Sequence, residues 1–113
     1  MKIRIVSLTK NEDFKSIIGG NKISNKYLTI FFKKLSGKNN KKLNISFVTK
    51  KKIGNAINRN KIKRRLRNIM NEATRVINLN LNYSYLFISK RTVLSDNYEK
   101  IKQTLFGDLK KIK

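Results

Sequence analysis

The 113-residue sequence contains no cysteine, no histidine and no proline. Because cysteine is absent, the chain has no disulfide, thiol nucleophile or thiolate metal site, and nothing in it points to an oxidising compartment. The joint absence of cysteine and histidine excludes zinc fingers, histidine-based metalloproteases and catalytic triads with an imidazole base. Metal-dependent nucleases that use only carboxylates are compatible with these absences.

Acidic residues are scarce as well, with six Asp and Glu against 28 Lys and Arg and a formal net charge of +22. Only Glu12 with Asp13 and Asp96 with Glu99 are close in sequence. Each pair is better explained by a helix N-terminus, where acids complement the helix dipole, than by an active site. Intrinsic catalysis is therefore not expected. The uncompensated charge predicts a polyanionic partner, either nucleic acid or an anionic membrane surface.

Long hydrophobic runs are missing too. No apolar segment approaches the roughly 20 residues that span a bilayer, and the N-terminal segment lacks the cleavage site of a secretory signal. We therefore expect a cytoplasmic protein with no membrane-spanning segment. The length predicts one domain over residues 1–113.

Apolar residues at helical spacing predict three helices. The first covers Asn11 to Ile18, with Asn11 as its candidate N-cap. The second follows the candidate cap Asn55 and ends near Asn78, and the third is capped by Ser95. The positions expected to be buried are Ile62, Leu66, Ile69, Met70, Ala73 and Val76 on the second helix and Ile101, Leu105, Leu109 and Ile112 on the third.

Alternation with a period of two predicts three strands, Tyr27–Lys33, Leu43–Val48 and Tyr85–Ser89. A turn at Ser36–Asn40 makes a hairpin the simplest pairing of the first two strands. The third strand is apolar almost throughout, which suits an interior position in the sheet. Phe31 falls on the less apolar face of the first strand.

Residues 50–67 read KKKIGNAINRNKIKRRLR, with nine Lys or Arg and no acid. On a helix, Arg64 and Arg67 fall opposite Ile62, so the basic residues share a solvent face. Arginine forks suit bidentate phosphate contacts, and the segment carries no Glu spaced four residues away for pairing within the helix. We therefore expect this segment to contact a phosphate backbone rather than to form an ordinary solvated helix face. Composition alone does not distinguish DNA from RNA.

The order of residues in this segment is more specific than its composition. Residues 51–64 resemble the signature of the bacterial ribonuclease P protein family, in which Lys-Lys-x-Gly-x-Ala at a strand end leads into Arg-Asn-Arg-x-Lys-Arg on a long helix. The opening from Leu8 to Phe14 and the pair Lys90-Arg91 also match the family pattern. The resemblance implies an α+β fold, a single-domain α/β sandwich with a three- to four-stranded mixed sheet. Its long central helix would form a left-handed βαβ crossover.

The resemblance also implies a protein subunit of ribonuclease P, a ribonucleoprotein endonuclease that removes 5′ leaders from precursor tRNA. The chain alone would be non-catalytic, with no cofactor or metal of its own, and Mg²⁺ bound by the catalytic RNA would carry the chemistry. Its partners would be the catalytic RNA and precursor tRNA, and neither DNA nor a membrane. The residues implied for catalytic-RNA binding are Arg59, Asn60, Lys61, Lys63, Arg64 and Arg67. Those implied for leader binding are Phe14, Ile18, Phe31, Val48, Lys51 and Lys52.

An aromatic side chain on the less apolar face of a strand supports leader binding independently, because Phe31 could stack on an unpaired base. The structural alternative is that Phe31 packs beneath the first helix against Phe14, and the two roles are compatible.

Five positions depart from the family pattern. Ile18 stands where an aromatic often occurs, Lys50 where Ser is usual, and Lys61 replaces the last arginine of the triplet. Asn44 and Ser46 stand where Arg and Gly are usual. We therefore expect leader contacts that are more electrostatic and less stacked.

Two other functions fit the composition. A ribosomal or general RNA-binding protein would share the charge but show no preference for a 5′ leader. A protein-only nuclease that uses Asp96 and Glu99 would cleave RNA with Mg²⁺ and without an RNA partner.

Overall fold

One mixed sheet organises the computed structural model, which describes residues 3–7, 11–34 and 41–112, with side chains from Lys15 onward in α1. Its strands are β1 (Ile5–Val6), β2 (Asn21–Ser24), β3 (Leu28–Lys34), β4 (Leu43–Val48) and β5 (Tyr83–Ser89). The spatial order is β1-β4-β5-β3-β2. Strands β1, β4 and β5 are parallel, whereas β3 runs antiparallel to both β5 and β2.

The helical elements are α1 (Asn11–Ile18), a 3₁₀ turn (Lys51–Ile53), α2 (Ala56–Val76), α3 (Thr92–Ser95) and α4 (Tyr98–Lys110). The predicted bounds of the first helix are confirmed, although the cap predicted at Asn11 lies outside the described side chains. The predicted cap of α2 is also confirmed, because the Asn55 side chain accepts a hydrogen bond from the Asn58 backbone N–H at 2.9 Å. None of the helices in the described ranges is long and apolar enough to cross a membrane.

Two helix-end predictions are wrong. Ser95 does not cap the last helix, because it is the last residue of α3. The cap of α4 is Asn97, whose side chain accepts from the Glu99 backbone N–H at 2.7 Å. Val76 was expected in the buried stripe of α2 but is 68% exposed, since it is the terminal residue of the helix. All the other predicted stripe residues of α2 and α4 are buried.

Alternation along the strands produces two different sheet faces. On one face Leu28, Ile45 and Phe87 are fully buried in the main core together with the apolar stripes of α2 and α4. On the other face Leu86 packs with Ile17 of α1 in a smaller cluster. The helices α2 and α4 therefore cover one side of the sheet and α1 covers part of the other.

The short helix α1 sits close to β3 at its C-terminal end. A Cβ atom at Gly20 would lie 2.9 Å from the Phe32 carbonyl oxygen, so only glycine permits this approach. Lys33 on β3 donates a hydrogen bond to the Ser16 hydroxyl of α1 at 2.9 Å. These contacts hold α1 against the β3 side of its sheet face.

The predicted hairpin between β3 and β4 is wrong, because β5 lies between them and pairs with both. The interior position predicted for β5 is thereby confirmed. The sheet has five strands rather than three to four, since β1 and β2 are too short to show a clear alternation. Helix α2 joins the neighbouring parallel strands β4 and β5, as a βαβ crossover requires. The turn predicted at Ser36–Asn40 lies outside the described residues.

Candidate nucleic-acid interface

The first candidate surface is the solvent face of α2. Its apolar stripe is fully buried from Ile62 to Ala73, which fixes the rotation of the helix on the sheet. Five of the six residues predicted to contact the catalytic RNA are exposed as a consequence. They are Asn60, Lys61, Lys63, Arg64 and Arg67.

Within the described residues, no carboxylate pairs with any cation of this α2 face. The salt bridges between described residues involve Lys26, Lys102 and Lys111 instead. The Arg67 guanidinium lies over the half-buried Phe47 ring at 5.9 Å from the ring centroid, which supports the arginine without neutralising it. No acidic side chain in the described part of the chain therefore compensates the positive charge of this face.

Arg59 differs from the other predicted RNA-binding residues. It is half-buried, and its Nε atom is enclosed without a hydrogen-bond acceptor among the described residues. An enclosed cationic donor without an acceptor is energetically unfavourable. An anionic oxygen brought by a ligand would supply one.

Arg65, which directly follows Arg64, has a structural role. Its Nη1 atom donates to the carbonyl oxygens of Val93 at 2.9 Å and Asp96 at 3.2 Å. It therefore holds α2 both to α3 and to the α3–α4 connection. Two consecutive arginines of the basic segment thus point to different environments.

The second candidate surface lies on the α1 side of the sheet. Phe31 and Val48 are half-buried there and pack, with Ile88, against the Ile17 and Leu86 cluster. Phe31 thus has a packing role beneath α1 and still keeps part of its ring accessible.

The remaining residues predicted for leader binding are dispersed around this sheet face. Ile18 is 51% exposed at the end of α1. Lys51 and Lys52 are exposed on the 3₁₀ turn, just beyond the end of β4. The side chain of Phe14 lies outside the described part of the chain.

A groove of about 320 Å³ continues this surface at the carboxyl ends of β4 and β5. We call it the strand-end groove. It connects to the α1-side surface through Ile88, which belongs to both, and it contains one predicted leader residue, Lys52. Its lining residues are Thr29, Lys50, Lys52, Ile53, Ile88, Ser89, Lys90 and Arg91.

No binding site was predicted for Lys90 and Arg91 from the sequence, although this basic pair after β5 matches the family pattern. Lys90 Nζ donates to the Asn25 carbonyl at 2.6 Å and the Ser24 hydroxyl at 3.2 Å. The Arg91 guanidinium donates to the Ile53 carbonyl through Nη2 at 2.7 Å and through Nε at 3.2 Å. The pair thus connects the end of β5 to two neighbouring segments.

The two carboxylates proposed for a protein-only nuclease are engaged separately. Asp96 accepts a hydrogen bond from the Tyr27 hydroxyl at 2.7 Å and pairs with Lys26 at 3.1 Å. The Tyr27 hydrogen bond and then the Lys26 ammonium hold the pKa of Asp96 below its usual range. Glu99 pairs with Lys102 at 2.7 Å, and this contact likewise lowers the pKa of the Glu99 carboxyl. In the residues that the structure describes, no cluster of three or more acidic side chains could hold a metal ion.

Fold and surface together define a class of protein: a small, strongly basic α+β protein with a cationic helix face and a basic groove at one end of its sheet. The family model for ribonuclease P matches residues 4–113. The chain therefore belongs to the ribonuclease P protein family. Membership of this family implies an RNA partner and a role in tRNA 5′ processing.

Sequence and structure comparisons agree with this family. A ribonuclease P protein component from Listeria monocytogenes is 30% identical over 104 residues, covering 91% of this chain and 84% of the Listeria protein. The structure of the RNase P protein from Thermotoga maritima matches with a TM-score of 0.78 at 26% identity, covering 96% of this chain and 98% of that one. The Staphylococcus aureus RNase P protein matches with a TM-score of 0.68 at 27% identity, covering 94% and 93%.

Proposed function

We propose that this chain is the RNA-binding and substrate-binding subunit of a cytoplasmic ribonuclease P, and that it assists removal of the 5′ leader from precursor tRNA. The observation that carries the proposal is the exposed and unneutralised cation face of α2, formed by the segment that matches the family signature. A helix that keeps several exposed cations free of acids is suited to a polyanion.

The α2 face would bind the catalytic RNA. Arg64 and Arg67 would donate to phosphate oxygens, and each phosphate neutralised would release counterions. The half-buried Arg59 would complete its hydrogen bonding with an RNA oxygen. The remaining contacts of this surface are assigned to Asn60, Lys61 and Lys63.

The α1 side of the sheet would bind the precursor leader. The accessible part of Phe31 would stack on an unpaired base, which requires no particular sequence. Val48 would extend the apolar surface toward the strand-end groove, where Lys51 and Lys52 would attract the leader phosphates. Phe14 and Ile18 would line the same path from α1.

Catalysis would belong to the RNA partner. Mg²⁺ ions held by that RNA would activate water and stabilise the leaving oxygen. The chain would contribute charge neutralisation and leader binding rather than a catalytic group. The engagement of Asp96 by Tyr27 and Lys26, and of Glu99 by Lys102, supports this division of roles.

The decisive experiment compares the affinity of the reconstituted holoenzyme for precursor tRNA and for mature tRNA. We expect tighter binding of the precursor. A Phe31→Ala variant should lose about 1 to 3 kcal/mol of that preference, because a base-stacking ring is removed. Its affinity for the catalytic RNA should be unchanged.

Because Phe31 also packs beneath α1, Phe31→Leu is the matched variant. Leucine keeps apolar contact with Ile17 but removes the aromatic ring, so a stacking role predicts that it behaves like Phe31→Ala. Normal discrimination by Phe31→Leu would assign Phe31 to packing alone. Equal affinities of the wild-type holoenzyme for both tRNAs would instead favour a general RNA-binding protein.

A protein-only nuclease is tested with the purified chain and Mg²⁺. We expect no cleavage of precursor tRNA until the catalytic RNA is added. Cleavage that persists after the preparation has been treated with ribonuclease, and the ribonuclease removed, would contradict an RNA-based reaction.

A further inference from the structure

The 3₁₀ turn that carries Lys51 and Lys52 has few interactions of its own. Its backbone hydrogen bonds run from the Ile53 N–H to the Lys50 carbonyl at 3.0 Å and from the Gly54 N–H to the Lys51 carbonyl at 3.3 Å. Lys50, Lys51 and Lys52 are consecutive and all exposed, so their charges repel one another. A single turn with these properties needs an external contact to keep one conformation.

Arg91 supplies one such contact, and the buried side chain of Ile53 supplies another. Its guanidinium places two donors on the Ile53 carbonyl, at 2.7 Å and 3.2 Å, across 38 positions of sequence. The side chain of Ile53 is buried, so the carbonyl bonded by Arg91 belongs to a residue that is already anchored in the core. The end of β5 and the end of the 3₁₀ turn are thereby held together.

We propose that Arg91 is a positioning residue for leader binding. By holding the Ile53 carbonyl, it fixes the turn that presents Lys51 and Lys52 beside the strand-end groove. This inference rests on the proposed function, since it assigns to Arg91 an indirect part in binding the precursor leader. The basic character of Arg91 by itself would have suggested a direct phosphate contact.

Two neutral substitutions distinguish positioning from direct charge contact. Arg91→Gln removes the charge but keeps an N–H donor at the position of the arginine Nε. Arg91→Met has similar length and has neither charge nor donor. Positioning predicts a loss of about three- to ten-fold for the Met variant, which has no donor, and a clearly smaller loss for the Gln variant, which keeps one neutral donor for the Ile53 carbonyl. A direct phosphate contact predicts equal loss in both variants.

Backbone hydrogen exchange provides a readout that does not depend on RNA. In the free protein, Arg91→Met should accelerate exchange at the Ile53 and Gly54 amides relative to wild type, and Arg91→Gln should accelerate it less. The exchange of amides in the centre of β5 serves as the internal control for global stability. Unchanged exchange in the Met variant would overturn the positioning role.

A double-mutant cycle tests whether Arg91 acts through the turn. The reference is a variant with Lys51→Ala and Lys52→Ala, which should weaken precursor binding by itself. Adding Arg91→Met to it should cause little further loss if Arg91 works by placing these lysines. A full additional loss would overturn the proposal.

The outcomes also separate this inference from the proposed function. If Lys51→Ala with Lys52→Ala leaves precursor affinity unchanged, the assignment of leader binding to the turn fails. The exchange data then still show whether Arg91 fixes the conformation of the turn. If that variant weakens binding but the Gln and Met variants of Arg91 are equivalent, the proposed function stands and the positioning role of Arg91 is rejected.

Discussion

The solvent face of α2 and the side of the molecule around α3 and α4 use charge differently. Around α3 and α4, Asp96 pairs with Lys26, and Lys102 bridges Glu72 and Glu99. On the α2 face, none of the exposed cations in the described residues has a carboxylate partner. The acidic side chains that the structure describes therefore compensate cations on this side of the molecule, and the α2 face is distinguished by missing compensation rather than by the overall charge.

The same contrast occurs between two consecutive residues. Arg64 is exposed, whereas Arg65 is mostly covered and bonds backbone carbonyls of α3 and of the α3–α4 connection. Both belong to the basic segment and have the same chemistry. Their difference shows that helix rotation, which the buried stripe sets, decides whether an arginine contacts the rest of the fold or stays exposed to solvent.

The largest effect on stability is expected from Arg65→Ala. Loss of the guanidinium leaves the carbonyls of Val93 and Asp96 without this donor, so the free energy of unfolding should fall by about 1.5 to 3 kcal/mol. Urea denaturation measures the change. Arg64→Ala is the matched control and should stay within about 0.5 kcal/mol of wild type. Similar losses in both variants would remove the contrast between the two arginines.

Catalytic-RNA binding should depend on the exposed arginines of α2, whose replacement is expected to leave stability nearly unchanged. Arg64→Ala or Arg67→Ala should weaken catalytic-RNA binding by about five- to ten-fold and reduce the slope of log affinity against log salt by about 0.7 to 0.9, because one phosphate contact is lost. Lys22→Ala, an exposed lysine on the edge strand β2, is the control and should leave the slope unchanged. An unaltered slope in the two arginine variants would remove the α2 face from the RNA interface.

The smallest effect concerns the pH dependence of the Asp96 contacts. Because the folded pKa of Asp96 is lowered, its carboxylate adds stability above the usual aspartate pKa of about 3.9, and that stability is lost as pH falls through the folded pKa. Asp96→Asn should therefore lower Tm slightly at pH 6 to 7, and the difference from wild type should shrink below about pH 4. Thermal denaturation across this range measures it. A difference that stays constant with pH would show that the charge of Asp96 contributes nothing.

Local pattern was sufficient for several elements of the fold. The bounds of α1, the Asn55 cap and the apolar stripe of α2 depend on residues within a few positions of one another, and all were predicted except that Val76 does not belong to the stripe. The exposure of Arg64 and Arg67 follows from the same periodicity. Ser95 and Asn97 are both good cap residues, and the additional short helix α3 decided between them.

Strand pairing could not be predicted from local sequence pattern. Alternation shows which residues of β3 and β4 share a face, but it carries no information about which strands are neighbours. The intervening β5 comes from a distant part of the sequence and separates them. The strand-end groove was missed for this reason, since it combines residues from β3, the 3₁₀ turn and the segment after β5.

The sequence by itself determined the family and the helix face that carries the exposed cations, because the order of residues and the spacing of apolar residues are properties of the chain that folding does not alter. Only the tertiary structure decided which basic residues are free to bind. Arg65 and Arg91 are held by carbonyls 28 and 38 positions away, and a contact of that range exists only after the sheet and helices have come together.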